Sequence, residues 1–398
     1  MRNKLSQHRI GTPRSKVSGG MVAPEVDKNR GEVFGNRLQR SMGASCLAAI
    51  ISFAAFEQGL AADATNPVIP RETSTIPANG DLNPYGVAFV PDGFPATTAV
   101  APGDVLVSNF NSKSNTQGTG ITIVSISPDG TQSLFFQGTP PLGLTTALNV
   151  LKRGVVIVGN VPNKANVAQA GSLIVLDNKG SELTGSPLVD PTFLDGPWDS
   201  TVIDKGDSAI VFVSCVLNGT VTRLELTFSG NTVAVKSKVK IAEGYKFGPN
   251  KAAFVVGPTG LAYDSESGTL YVASTKDNEI FAVADAAKIS TANGPGTVIF
   301  SGTHLHGPLG LVLAPNGDLI SSQGDAIKPS KDPAQQSEIV EFTKGQGGQP
   351  GTFVSQFSID SAAGSAFGIA IQRKKGAVTF AAVDDTMNAL TVYDLAEK

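Results

Sequence analysis

The sequence predicts an all-β protein: a six-bladed β-propeller of four-stranded antiparallel blades, closed by an N-terminal strand that completes the last blade. Three observations lead there. A short motif recurs six times at intervals of 57, 56, 61, 50 and 58 residues. Each copy is followed by further runs of strand-forming residues. The last copy runs out of chain one strand short of a full set. Composition agrees: 44 glycines, 24 prolines and only 16% charged residues suit many short strands and tight turns.

The recurring unit reads "NPYGVAF", "PPLGLTTA", "GPWDSTV", "GPTGLAY", "GPLGLVL" and "SAFGIAI". Aligned, it starts blades near Gly86, Gly143, Asp199, Gly260, Gly310 and Gly368. Blade three therefore breaks the glycine pattern with an aspartate. A turn follows each start, then a second apolar strand: "DVLVSN", "VVIVGN", "AIVFVS", "TLYVAS", "DLISSQ" and "AVTFAA". Third strands come after polar loops, as in "ITIVSI", "SLIVLD", "TVTRLEL", "EIFAVA", "EIVEFT" and "ALTVYDL". β-branched content and alternation mark all of these as strands. A looser fourth strand precedes the next start, except after "ALTVYDL", where the chain stops at Lys398. An open edge is costly. The segment "NPVIPRETSTIP" ahead of blade one has no other partner, so it is expected to supply blade six's outer strand.

The first sixty residues have another character. Residues 1–61 read as a leader with a signal peptide, its apolar core at 42–56 behind Arg37 and Arg40, its small-residue cleavage site near Ala61 or Ala64. Met21 and Met42 are alternative starts. The expected location is secreted or periplasmic, with residues 62–398 forming a single propeller domain, monomeric and without a membrane span. Cys46 falls in the leader, which leaves Cys215 alone in the mature chain and excludes an intrachain disulfide. Within "AIVFVSCVLNG", Cys215 reads as a small buried residue. A net charge of −3 with no basic run excludes a nucleic-acid partner.

In a propeller the innermost strands line an axial channel. Loops leading into them share one rim with the loops joining second and third strands. That rim gathers Asn83, Tyr85, Asp195, Trp198, Asp199, His304 and His306 from the leading loops. The other loops add Asn109, Asn160, Asp325 and Asp384. Three long loops, 110–119, 161–170 and 323–337, are expected to wall a funnel above the channel, where binding residues usually reside. Trp198 between Asp195 and Asp199 would give an aromatic platform with carboxylates for a sugar-like or cationic ligand, or else pack between blades. His304 and His306 either serve as ordinary loop residues or offer a general acid or base. With no third histidine in the mature chain, they make a poor zinc site. Asn and Asp oxygens at a channel mouth suit calcium or magnesium, though these are also the ordinary residues of turns.

"GPTGLAYDSESGTLYVASTKDNEIFAV" and "GPLGLVLAPNGDLISS" resemble NHL-type repeats. The resemblance implies kinship with the gluconolactonase and senescence-marker propellers, the paraoxonases and the strictosidine-synthase-like proteins, all six-bladed, and with the seven-bladed streptogramin lyases. The lactonase-type enzymes hold calcium with a Glu ahead of an inner strand plus Asn and Asp from other blades. "DGPWDS", Asp195 to Ser200, is similar to their opening motif, with Asp for Glu and in blade three instead of one. Asn250 in "FGPNKAAF" is similar to their Pro-Asn-Gly.

Nucleophile elbows, HExxH, Walker and Rossmann fingerprints are absent. Two functions stay open at this stage. One is a non-catalytic propeller that binds a small molecule, glycan or protein on its rim. The other is a hydrolase or lyase dependent on calcium or magnesium at the channel mouth.

Overall fold

The structure is a computed structural model that describes residues 70–324, 327, 338–345, 349–362, 364–374 and 377–396. The leader, with His8 and Cys46, and Asp325 lie outside the described residues. All regular elements among them are strands.

The six inner strands are Leu82–Phe89, Leu144–Leu151, Pro197–Asp204, Pro258–Asp264, Pro308–Leu313 and Ala366–Lys374. Each pairs with the second strand of its own blade, and each ladder carries a bulge near its leading end. Blades one, three, four and five complete four antiparallel strands from consecutive chain. Blade two has three regular strands, and Leu188 supplies its outer edge through an isolated bridge to Leu173.

Blade six closes the ring as expected. Strand Arg71–Ser74 pairs antiparallel with Ala389–Ala396, aligning Thr73 with Leu390. Arg71 adds an ion pair to Asp394 at 2.9 Å, and the Thr75 hydroxyl donates to the Asn388 carbonyl. Apolar residues fill the seams between neighbouring blades, as where Phe300 stacks on Phe342 at 4.4 Å between blades four and five.

The bulges explain the recurring glycine. A Cβ at Gly86 would stand 2.8 Å from the Thr145 carbonyl oxygen, and one at Gly310 would stand 2.8 Å from that of Phe367. The next blade's backbone approaches too closely for a side chain. In blade two the motif misleads: the bulge spans Thr145 to Ala147, and Gly143 precedes the strand. Serines beneath the bulges recur as well. Ser108, Ser214 and Ser322 accept the bulge N–H of Gly86, Asp199 and Gly310. Ser108 and Ser322 hydroxyls then donate to carbonyls of the following blade, at Thr145 and Phe367. Threonines extend this belt, Thr145 to the Pro197 carbonyl and Thr146 to that of Trp198.

Candidate functional site

The belt divides the axis in two. At the leading end, the residue just ahead of the bulge position points inward, and in four blades it is large and apolar: Tyr85, Trp198, Leu309 and Phe367. Phe110, Val161, Val216 and Val383 join them from second strands and the residues just beyond. Tyr85 is sandwiched between Phe110 at 4.4 Å and Phe367 at 4.5 Å, and Trp198 meets both Tyr85 and Phe110 edge-on. Every one of these residues is buried. The rim end of the channel is a solid plug.

A lid covers it. The Gln117 amide reaches across to the Ala252 carbonyl at 3.3 Å, and Asn163 bonds to the Gln117 carbonyl at 2.8 Å. Phe254, from the hairpin formed by Gly248–Asn250 and Phe254–Val256, packs on Phe110. The open funnel expected from the loop lengths is thus closed among the described residues. Loops 110–119 and 161–170 knit together because the Asn163 backbone and side-chain N–H groups donate to the Gly118 and Gln117 carbonyls.

The sequence candidates accordingly separate. Trp198 and Asp199 are neighbours at the bulge of their strand, and their side chains part there. Trp198 enters the plug; the Asp199 carboxyl lies on the wall of the channel below it. Asp195 is half-buried, its carboxyl raised by burial. Asn83 is buried in a left-handed conformation (φ 59°), its N–H bonded to the Asn388 side chain. Burial, then the charge of Asp385, push the Tyr85 hydroxyl well above its usual range. Asn109 ties the closing segment down through the Thr75 carbonyl, and Asn160 clamps Ser172. Asn278 bridges blades, accepting the Gly307 N–H and donating to the Leu305 carbonyl.

The histidines also part company. His304 stacks on Phe353 with ring centroids 3.8 Å apart and bonds Gln356, both on blade five's outer strand. His306 is buried, its N–H held by the Gln323 side chain. They form no pair.

Asp384 belongs to a cluster that sequence reasoning missed. Its carboxylate caps Thr386 and Met387 N–H groups and stands beside Asp360, with Asp385 adjacent and Glu338 near from blade five. Burial first, then mutual repulsion, raise Glu338, Asp384 and Asp385; Glu338 is pushed up to about 9. One oxygen of Glu338 accepts the Ile359 N–H, and the other has no partner among the described residues. No group of three His, Cys, Asp or Glu among the described residues is set to hold a metal ion. The lactonase-like set fares no better. Asp195, Asp199 and Asn250 do not converge, because Asp199 faces the channel below the plug and Asn250 caps its own hairpin.

The trailing end of the axis is open. Below the plug lies a cavity of about 410 Å³, walled by all six inner strands and including Val87, Leu148, Leu311 and Ile369. Among the described residues, Asp199 is the carboxylate on this wall and Tyr263 the other titratable group. Asp199 accepts the Ser200 N–H at 2.8 Å and, across the blade seam, the Leu261 N–H at 3.0 Å. Burial pushes its pKa up to about 8, against those two bonds.

No protein-family profile and no curated protein matches the chain. Solved propellers are similar to it in shape. A gluconolactonase from Xanthomonas campestris is 15% identical, covering 86% of this chain and 93% of its own, with a TM-score of 0.49. Streptogramin B lyase is 15% identical over 82% of this chain and 98% of its own, with a TM-score of 0.44. A calcium-binding regucalcin from Agrobacterium tumefaciens is 12% identical over 82% and 95%, with a TM-score of 0.47.

Proposed function

We propose that this chain is an exported, monomeric, non-catalytic propeller that binds a small molecule in its axial cavity. The observation that carries the reading is the one-ended channel: plugged and lidded at the rim, open below as a cavity of about 410 Å³. That volume falls within the range of small-molecule sites, on the order of 300–1,000 Å³. Its wall mixes apolar side chains with fixed polar groups such as Thr146, Asn149, Asp199 and Ser200, which can orient a bound molecule. Catalysis by general acid and base would need two groups poised against one another. Here the Asp199 carboxyl is engaged through both oxygens by the Ser200 and Leu261 N–H groups instead of by a second titratable side chain. A glycan or protein on the rim would meet the closed lid instead of a funnel.

A fragment-based thermal-shift screen tests this, run on the full chain and on Ala370→Trp, which fills the cavity. Fragments that stabilise the natural chain should lose their effect in the variant. Stabilisation that survives the blocked cavity would move the site elsewhere.

The second reading, a hydrolase dependent on calcium or magnesium, has only the proximity of Glu338, Asp360, Asp384 and Asp385 in its favour, since among the described residues no three of them are set to hold a metal ion. Residues 1–61 support export by their charge and hydropathy order alone. N-terminal sequencing of the protein recovered from the medium or periplasm should begin near residue 62 or 65.

A further inference from the structure

We infer that the axial cavity receives a small hydrophobic amine, whose ammonium group pairs with Asp199; this rests on the cavity being the binding site. The argument starts from a break in the repeat. At the bulge position four blades carry glycine and blade two has Ala147, while blade three carries an aspartate. Its side chain is placed on the cavity wall, more than nine-tenths buried.

The surroundings are arranged for a carboxylate. One oxygen accepts the Ser200 N–H and the other the Leu261 N–H, so both backbone donors serve an anion. What the site lacks is a positive charge. Among the described residues, none that walls the cavity is Lys, Arg or His. A buried carboxylate without a cation is costly, and the protein supplies the hydrogen bonds but not the charge. In the free protein a proton fills that gap, and a cation brought by the ligand can replace it.

The rest of the wall specifies what carries that charge. Phe89, Val150, Val202, Val312 and Ile371, all partly exposed on the wall, present hydrocarbon that disfavours a hydrated metal ion and accepts an alkyl or aryl group. Tyr263 adds an aromatic ring to the wall, a favourable neighbour for an ammonium. A single carboxylate matches a single positive charge. Because Asp199 holds its proton at neutral pH, binding must expel it: the carboxyl gives its proton to solvent and becomes the carboxylate, while the ammonium keeps all its protons and donates them. Release should approach one proton per ligand at pH 7 and vanish near pH 9, where Asp199 is already ionised.

The test is calorimetric titration of 2-phenylethylamine into the full chain at pH 7, in two buffers of different ionisation enthalpy. The neutral isostere 2-phenylethanol is titrated separately, and the amine titration is repeated with potassium chloride or calcium chloride present at equal concentration. Expected are saturable one-to-one binding of the amine, release of close to one proton, and affinity for the alcohol at least 10-fold weaker. Asp199→Asn should weaken the amine at least 10-fold and leave the alcohol unchanged. Should that variant fail to fold, Ala370→Trp takes its place and must abolish amine binding. Alcohol binding as tight as the amine overturns the inference while leaving the cavity as the site. Binding of neither overturns both readings. Displacement of the amine by potassium or calcium at equal concentration would assign the carboxylate to an inorganic cation and overturn the inference as well.

Discussion

Replacing Asp199 with asparagine isolates the cost of a buried, uncompensated carboxyl. In the folded chain its pKa is pushed up to about 8 by burial, from an ordinary 3.8. The folded state thus keeps a proton that the unfolded state has released, throughout the window from about pH 4 to about pH 8. Stability must fall as pH rises through that window, by about 1.4 kcal/mol per pH unit and on the order of 5 kcal/mol in all. Below the window both states are protonated, and above it both are ionised, so the slope vanishes at either end. Asparagine still accepts the Leu261 N–H but turns an amide against the Ser200 N–H, a loss of about 1 kcal/mol. The variant should therefore be slightly less stable than the natural chain at pH 4–5 and clearly more stable at pH 9. Urea unfolding of both proteins at pH 5, 7 and 9 measures this. Their difference cancels the contributions of Glu338, Glu341, Asp384 and Asp385, which titrate in both. A difference that stays constant to within about 1 kcal/mol across that range would refute the reasoning.

A chain begun at Leu82 loses Arg71–Ser74 and leaves blade six with an open edge, so it should melt well below a chain begun at Ala62, which should match the full-length protein. Equal melting temperatures would show that the closing strand contributes nothing. Cys215 is fully buried, and burial pushes its thiol up to about 12, so it should label with Ellman's reagent only on unfolding. Rapid stoichiometric reaction in the native protein would place the thiol at the surface. For the second functional reading, adding calcium or magnesium should leave the melting temperature unchanged if the cluster around Glu338 holds no ion; a rise lost in Glu338→Gln would favour that reading instead.

The blades were legible because a propeller repeats its strands, and the repeat shows in the sequence as spacing. The closing strand was legible from an unpaired edge. Blade two slipped by a few residues because its Pro-Leu-Gly matches the motif while the bulge itself lies at Thr145 to Ala147. The axis was harder. A signal for the plug was present, since Tyr85, Trp198, Leu309 and Phe367 occupy the same place in four blades, and an open mouth would have carried polar groups there. Asn and Asp around the rim drew attention first, but Asn109, Asn160 and Asn278 spend their side chains on neighbouring backbone. Trp198 and Asp199 look like one site in sequence, but they sit at a bulge, which sends one side chain into the plug and the other to the cavity wall. The cluster of Glu338, Asp360, Asp384 and Asp385 joins segments that no local pattern links.

The closing strand also dictates when the ring can form. Thr75 and Asn388, joined by hydrogen bonds in the finished structure, are 313 residues apart in the chain. During synthesis Arg71–Ser74 leaves the ribosome among the first of the propeller's strands, and its partner is among the last. Blades one to five can build their own sheets as they appear, from local contacts that form quickly. The ring cannot shut until the final strand arrives, and until then the first strand remains a free edge. A chain interrupted late in synthesis would hold nearly every blade and still lack the contact that makes them one cooperative body.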